Sequence, residues 1–487
     1  MFSWLSWFFP LLLGFFATPI IVKGLGTVEY GLYALVIGLI GYTFAFGIGR
    51  TAAKYVAEYN ATGETERING IVSAAFWFSI SLGILGVLVT ALFSGSIVDD
   101  FLNIDPEHRS AAIYALYLAS ATILVYAVCQ VFQSVLQGLH RFDRYSLLMG
   151  INGALLQTGN IAIVMLGHGM LVLLCWNLVV MTIISVLSVF SARALMPQLR
   201  VRANVGRQAF KAVLGYGTSI IIYQICGNIM VVFERAWITR KLGPEALTFY
   251  VIPMSLAIYM HGIISSIAAA AFPSFNELIR DREKLTLLYL KATKWILAII
   301  VFIVVTLIAS GREFLMVWIN SRFSDNSYHL LILHTLTLGI IALFTIVWLL
   351  TEANHAASIN AAVAFVWMVF AVGGGLLLID IWQNEGVAFA RFVGVAITLP
   401  AIPYLEKRFL GQVQFRFWGA ILARIAVAGV LLAATEVLLL QYLSPGWLTL
   451  GITGAAGGAA FAFGLWVTGF VSADERRMFA EIIQNRR

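Results

Sequence analysis

The chain has 487 residues, 61% of them hydrophobic and only 11% charged, with a mean hydropathy of +0.91 and a formal net charge of +7. Soluble domains run at about 25% charged residues, and no soluble core of this length absorbs so much apolar surface, so a soluble globular protein is excluded. The three cysteines, Cys129, Cys175 and Cys226, sit in apolar runs without metal-ligand or disulfide-framework spacing.

A helix needs about 20 apolar residues to cross a bilayer. By that measure the sequence predicts about fourteen crossings, near 3–23, 31–49, 71–98, 110–137, 146–166, 169–192, 213–239, 246–272, 289–311, 328–351, 356–379, 386–404, 418–440 and 447–470. The first lacks a basic n-region and thirteen more follow, so it reads as a span and not a signal peptide. No charged residue precedes it, which suggests a start upstream of Met1. With the N-terminus inside, 22 of the 31 Lys and Arg fall on the cytoplasmic side, among them Arg50, Lys54, Arg141, Arg200, Arg202, Lys284, Arg408 and Arg477. The outer side keeps Lys23, Arg109, Arg240, Lys241, Arg312 and Arg322, and Arg235, Arg391 and Arg424 lie within spans. This asymmetry places both termini in the cytoplasm. The positive charge then reflects topology and anionic lipid headgroups, not nucleic acid. The loops are too short to fold as domains. P-loop, H-E-x-x-H and nucleophile-elbow motifs are missing, so function is expected in the helical bundle, with neither catalysis nor a cofactor.

The segment Ile21–Tyr42 returns 217 positions later as Ile238–Tyr259. Ile21, Leu25, Gly26, Tyr33, Leu39 and Tyr42 align with Ile238, Leu242, Gly243, Tyr250, Leu256 and Tyr259, and Lys23 aligns with Arg240. Six spans separate the copies, so both point the same way. Parallel repeats of this kind give two lobes about an axis along the membrane normal, with a site at the midplane. The expected organisation is an all-α polytopic protein with an N-lobe (1–200, spans one to six), a C-lobe (201–410, spans seven to twelve), a two-helix appendage (411–472) and a cytoplasmic tail (473–487).

The stretches "LGTVEYGLYAL", "FGIGRTAAKYVAE" and "FERAWITRKLG" resemble the polysaccharide transporter family, the Wzx-type flippases of the multidrug/oligosaccharidyl-lipid/polysaccharide exporter superfamily. The resemblance covers the chain in span count, loop lengths and two-lobe spacing. It implies an exporter, in the bacterial cytoplasmic membrane, that turns undecaprenyl-diphosphate-linked oligosaccharides (O-antigen, exopolysaccharide or capsule repeat units) from the inner to the outer leaflet. Membrane lipids, the lipid-linked oligosaccharide and a glycan polymerase with its assembly machinery are the implied partners. One departure stands out: the family's Asp followed by Arg or Lys in the seventh span is Glu234–Arg235 here.

Carrying charge and sugar through hydrocarbon is costly, so such a substrate demands a polar, cationic cavity. Polar residues do gather on single helix faces. Tyr126, Gln130, Gln133 and Gln137 are spaced 4, 3, 4 in span four, and Gln224, Asn228 and Arg235 are spaced 4 and 7 in span seven, with Glu234 on the adjoining face. His334, Thr337, Thr345, Trp348, Glu352 and His355 form a looser stripe in span ten. Glutamine and asparagine also serve as interhelical glue. Glu234 and Arg235 lie roughly 9 Å inside the outer end. With Arg391 they are the intramembrane charges expected in the site, whereas Arg424 and Glu436, in the appendage, read as snorkelling residues. Lys23 at an outer mouth, and Arg50 and Lys54 at the cytoplasmic end of span two, complete the cavity set. Lys and Arg there suit phosphate oxygens. Glu234, His261, His334 and Glu352 are candidate titrating groups for a coupling ion, proton or sodium. Pro10, Pro19, Pro253, Pro273, Pro400 and Pro403 each break backbone hydrogen bonds and suit bending helices in a rocking two-lobe transporter. Competing readings are a cation-coupled small-molecule antiporter, opposed by the lack of Asp or Glu inside spans one to six, and a membrane-bound glycan polymerase or ligase, opposed by the short outer loops.

Overall fold

The structure, a computed structural model, describes residues 2–42, 48–215, 218–269, 272–354, 356–472 and 475. His355, the basic tail residues Arg476, Arg477, Arg486 and Arg487, and the side chains of Pro10, Arg50 and Pro273 lie outside the described part. Among the described residues the regular structure is helical: α1 (Phe2–Tyr42), α2 (Ile48–Ala61), α3 (Thr65–Ser96), α4 (Arg109–Gly138), α5 (Phe142–Met165), α6 (Met170–Leu195), α7 (Arg207–Gly215), α8 (Thr218–Leu242), α9 (Pro244–Ala269), α10 (Phe272–Leu278), α11 (Arg282–Ala309), α12 (Gly311–Trp318), α13 (Ser321–Ala353), α14 (Ala357–Ala396), α15 (Ala401–Leu410), α16 (Phe415–Tyr442) and α17 (Trp447–Val467). Among the described residues, 11 helical runs are long and apolar enough to cross a membrane. The protein is a multi-pass, all-α membrane protein. α8 is not among those runs, because Gln224, Asn228, Glu234 and Arg235 dilute its apolar residues.

Two of the long runs are broken, and neither break is at a proline. α1 breaks at Gly26 (φ 76°, ψ 168°) and α14 at Trp382–Gln383, where Gln383 has φ 49°. Gly26 therefore answers the sequence repeat: its counterpart Gly243 also has positive φ, 85°. The Leu-Gly corner recurs because a residue with a Cβ is strained in this conformation. α1 and α9 continue through Pro19 and Pro253, each of which lacks the N–H for one backbone hydrogen bond without interrupting its helix. Pro400 does stand at a break, the turn between α14 and α15.

Two compact units emerge, residues 1–251 with 364–390, and residues 252–363 with 391–487. In the first, α4 is central, packing on α3, α6 and α2. Gly138 lets α2 approach at Ala53 and Val56. Tyr33 of α1 is buried, and its hydroxyl accepts hydrogen bonds from Asn160 of α5 (3.3 Å) and Asn177 of α6 (3.4 Å). The segment after α6 is strapped along α3: Asn69 bonds Gln198 O and Arg200 N, Ser73 Oγ accepts from Arg202 N at 2.9 Å, and Trp77 donates to Arg202 O at 2.8 Å. The two glycine corners also touch. Thr27 donates to Glu245 at 2.8 Å, Thr248 donates to Thr27 O at 2.5 Å, and Gly31 lies against Pro244 O.

In the second unit, α11, α16 and α17 share a core of Leu297, Ile425, Ala428, Leu432, Phe461 and Leu465. Small residues on α17 permit the close approach: a Cβ on Gly464 would stand 2.7 Å from Ala428 Cα. Glu406, buried after α14, accepts from Tyr289 (2.9 Å), Trp418 (2.7 Å) and Gln414 N (2.9 Å), tying α15 to α11 and α16.

Candidate functional site

α3 ends in a π-turn over Ile97–Phe101, where i→i+5 bonding widens the helix. Arg109, the first residue of α4, grips that turn through two hydrogen bonds of 2.7 Å to Asp99, a bidentate arrangement that fixes geometry. Beside it lies a cavity of about 740 Å³ within the first unit. Its walls are Leu35 and Leu39 of α1, Leu85 to Thr90 of α3, Ile97 to Leu102, Leu116 to Ile123 of α4, and Ile225 to Trp237 of α8. The wall is almost wholly hydrocarbon. Thr90, Ser120, Asn228 and Trp237 supply its polar atoms. Leu85, Val89, Phe101 and Ile229 are exposed, so the cavity is open on the side they line.

At the π-turn the chemistry changes. Trp237 also lines a second, polar cleft of about 540 Å³ with Asp100, Asn103, Arg240 and Lys241. Arg240 Nη1 donates to the carbonyl oxygens of Asp100 and Phe101, both at 2.9 Å, and its guanidinium sits 5.7 Å from the Trp237 ring. These acceptors are neutral, so the positive charge is positioned without being cancelled by them. Lys241 is held by Asp380 at 2.9 Å. The two cavities together form one amphipathic groove, a hydrocarbon length ending in a polar head with an indole at the junction. Sequence reading placed Arg240 and Lys241 on the outer side but missed Trp237, Asp100 and Asn103. The legible signal was the aromatic and two cations in Trp237–Lys241, on one end of a polar helix.

The twelve residues named from the sequence distribute unevenly. Asn228, buried, lines the hydrocarbon cavity. Gln224 and Arg235 share its stripe, which lies about 100° around α8 from the middle of the cavity-facing residues. The stripe therefore borders this cavity. Arg235 turns toward α1, where its Nη1 donates to Ala34 O and its chain lies over Gly38, which has no Cβ to obstruct it. Glu234 beside it is buried, 2% exposed. In α4 the cavity wall is the N-terminal half, Leu116 to Ile123, while Tyr126, Gln130, Gln133 and Gln137 continue beyond it. Gln133 is buried and its amide donates to Cys129 Sγ at 3.2 Å, and Cys129 in turn meets Ser188 of α6. Lys54 pairs with Glu58 at 3.8 Å on α2, one turn after Arg50. Lys23 is exposed one residue before Gly24 and Leu25 lead into the α1 corner. Arg391 is buried in the second unit. There too, His334 and Thr337 of α13 are buried, Thr345 and Trp348 are half-buried and Glu352 is exposed. Among the described residues no group of His, Cys, Asp and Glu could hold a metal ion.

Residues 20–327 match the family described as polysaccharide biosynthesis protein. A Shigella flexneri protein assigned as an O-antigen transporter is 24% identical over 331 residues, 66% of this chain and 76% of that one. Among solved structures, the lipid II flippase MurJ in an inward closed conformation aligns over 96% of this chain and 98% of its own, with a TM-score of 0.77 at 14% identity. An inward-facing MATE-family multidrug resistance transporter of the MOP superfamily aligns over 83% and 99%, with a TM-score of 0.67 at 18% identity. The fold is thus that of the MurJ and MATE transporters. Since the family match spans well over half of the chain, it belongs to the polysaccharide biosynthesis protein family, in keeping with its likeness to the Wzx-type polysaccharide transporters.

Proposed function

We propose that this protein is a flippase that moves an undecaprenyl-diphosphate-linked oligosaccharide from the inner to the outer leaflet of the bacterial cytoplasmic membrane by alternating access, and that it is not an enzyme. The observation that carries this reading is the amphipathic groove of the first unit. A hydrocarbon cavity open on one side continues into a cleft with Arg240, Lys241 and Trp237, the shape of a lipid bearing an anionic, sugar-carrying head. The tail rests against Leu85, Val89, Ile229 and Val232, while diphosphate oxygens accept charge-assisted hydrogen bonds from the cations. The O-antigen transporter assignment of the Shigella flexneri relative and the lipid II flippase function of MurJ support the same substrate class.

Fourteen crossings with both termini cytoplasmic belong to this proposal. The 11 apolar runs, two of them broken at Gly26 and Trp382–Gln383, together with α8, are consistent with that number. So do the two lobes of the sequence reading, the polar faces of Gln130, Gln133, Gln137, Gln224, Asn228 and Arg235 as the path of the head group, and Arg391, Arg50, Lys54 and Lys23 as cations met along it. A glycan polymerase takes the product, and a proton or sodium gradient drives the cycle. The test is purified protein in vesicles with a fluorescent lipid-linked oligosaccharide in the inner leaflet. Protein-dependent appearance of the probe in the outer leaflet is expected, and its absence with correctly inserted protein overturns the reading.

A further inference from the structure

α16 and α17 form an antiparallel pair on α11, and one side chain within that seam is chemically out of keeping with its neighbours. Glu436 lies in the membrane-spanning run Phe415–Tyr442 and is 0% exposed. Its Oε1 accepts a hydrogen bond from the Thr306 hydroxyl of α11 at 3.0 Å, the Ser310 hydroxyl also lies beside the carboxyl, and Oε2 is buried without a hydrogen bond of normal geometry among the described residues. α17 makes room for it: a Cβ on Gly457 would stand 2.8 Å from both Cγ and Oε1 of Glu436. One turn away on the same face of α17 is Thr453, also 0% exposed, whose hydroxyl has no partner among the described residues. Glu436 and Thr453 each stand six residues from the α16–α17 connection, so the hairpin brings them to one depth.

No basic side chain of the described residues pairs with this acid. α17 carries no titratable residue between Trp447 and Val467. The charged residues of α11 end at Lys294, twelve positions before Thr306, and Lys294 is taken by Glu475. On α16 itself, Arg424 donates to Gly469 O at 3.0 Å and Tyr442 is exposed. α12 brings Arg312, paired with Asp325 at 2.9 Å, and Glu313. α13 brings Tyr328, which donates to Ile308 O at 2.7 Å, and the buried His334. A charged carboxylate in such surroundings is costly unless it is neutralised, and an ionisable group inside a span is a functional candidate on that ground. The donors within reach are a carboxyl and hydroxyls, hard oxygen ligands that suit a small hard cation and not a soft metal.

We propose that Glu436, with the Thr306 and Thr453 hydroxyls, binds one monovalent cation, a proton or sodium, between α11, α16 and α17. The site lies outside the groove and outside the residues assigned to the transported lipid. Its test is therefore independent of the proposed function: thermal unfolding of the purified full-length protein in detergent, across pH and in sodium chloride against choline chloride. A ligand that binds the native state raises the melting temperature with its concentration. The wild type is expected to respond and Glu436→Gln, which keeps the shape and the Thr306 contact, to lose the response. Thr453→Val should weaken it. A rise with sodium at fixed pH identifies sodium, and a rise on acidification that sodium leaves unchanged identifies the proton. If wild type and Glu436→Gln respond identically to both, the site is overturned.

Discussion

Arg235 reaches Ala34 O only because residue 38 is glycine: a Cβ at Gly38 would occupy the space of the Arg235 side chain. Gly38→Ala and Arg235→Ala should therefore act alike, since each removes the guanidinium from its seat. Charge-assisted hydrogen bonds contribute roughly 1.5–3 kcal/mol each, so either change should slow vesicle export by about tenfold to a hundredfold. Arg235→Lys should restore part of the rate, because the charge remains while the planar fork is lost. Export by Gly38→Ala at the wild-type rate, in well-folded protein, would show that this seat is not needed. The polar stripe holding Arg235 was readable from spacing alone, and so was the glycine corner as a repeat. Which neighbour receives Arg235 was not, because the contact spans 201 positions and depends on an absent side chain 197 residues away.

Among elements, α4 shows where periodicity misleads. Its glutamines share a face as the spacing required, but a face has two ends, and the described cavity takes the N-terminal one. Changing Gln130, Gln133 and Gln137 together to leucine should leave insertion intact and abolish export. Tyr114→Leu, on an exposed position of α4, is the control, since Cys129 is bonded to Gln133 and cannot serve as one. Equal export by both would make the glutamines helix glue. At the far end of the chain, burial pushes the Glu475 carboxyl up, but the Lys294 ammonium at 2.6 Å and Ser472 outweigh it and hold it down at about 2, against an ordinary 4.5. A carboxyl depressed in the folded state stabilises fully above its unfolded value and loses that contribution as pH falls through the folded one. Glu475→Gln should thus melt below wild type at neutral pH, with the gap closing between about pH 4.5 and about 2. A gap that does not change with pH would contradict the pairing. The sequence could not show this latch, because the two residues are 181 positions apart.

At the scale of the whole molecule, orientation rests on the charge asymmetry, and thiol labelling tests it. Cysteines at the exposed positions Asn103 and Asn326 should react with an impermeant reagent in intact cells, and one at exposed Ala203 only after permeabilisation. Ser324 is unsuitable because it is buried, donating to Arg312 O at 2.6 Å. Labelling of position 203 in intact cells would invert the topology. Class, helical content and family were legible because hydrophobicity, charge placement and the repeat are properties of the chain itself. The amphipathic groove was not, since it is assembled from α1, α3, α4 and α8 and owes its shape to a π-turn no pattern announces.

The corner contact has the form of a homodimer interface carried within a single chain. With the offset of 217 positions, residue 27 corresponds to 244 and residue 31 to 248. Thr27 meets Thr248, and Gly31 meets Pro244. Position i of one copy thus touches position j of the other, and j touches i, which is the rule of an isologous contact. The pseudo-dyad is broken in one place. Thr248 is tolerated where it stands, but its counterpart must be glycine, because a Cβ at Gly31 would strike the Pro244 carbonyl. The two copies are consequently no longer interchangeable: glycine can be carried from position 31 to 248, whereas threonine cannot be carried back. The mismatch gives the repeated segment a direction that a true homodimer lacks, and Thr248→Gly and Gly31→Thr, compared by folded yield, should differ accordingly.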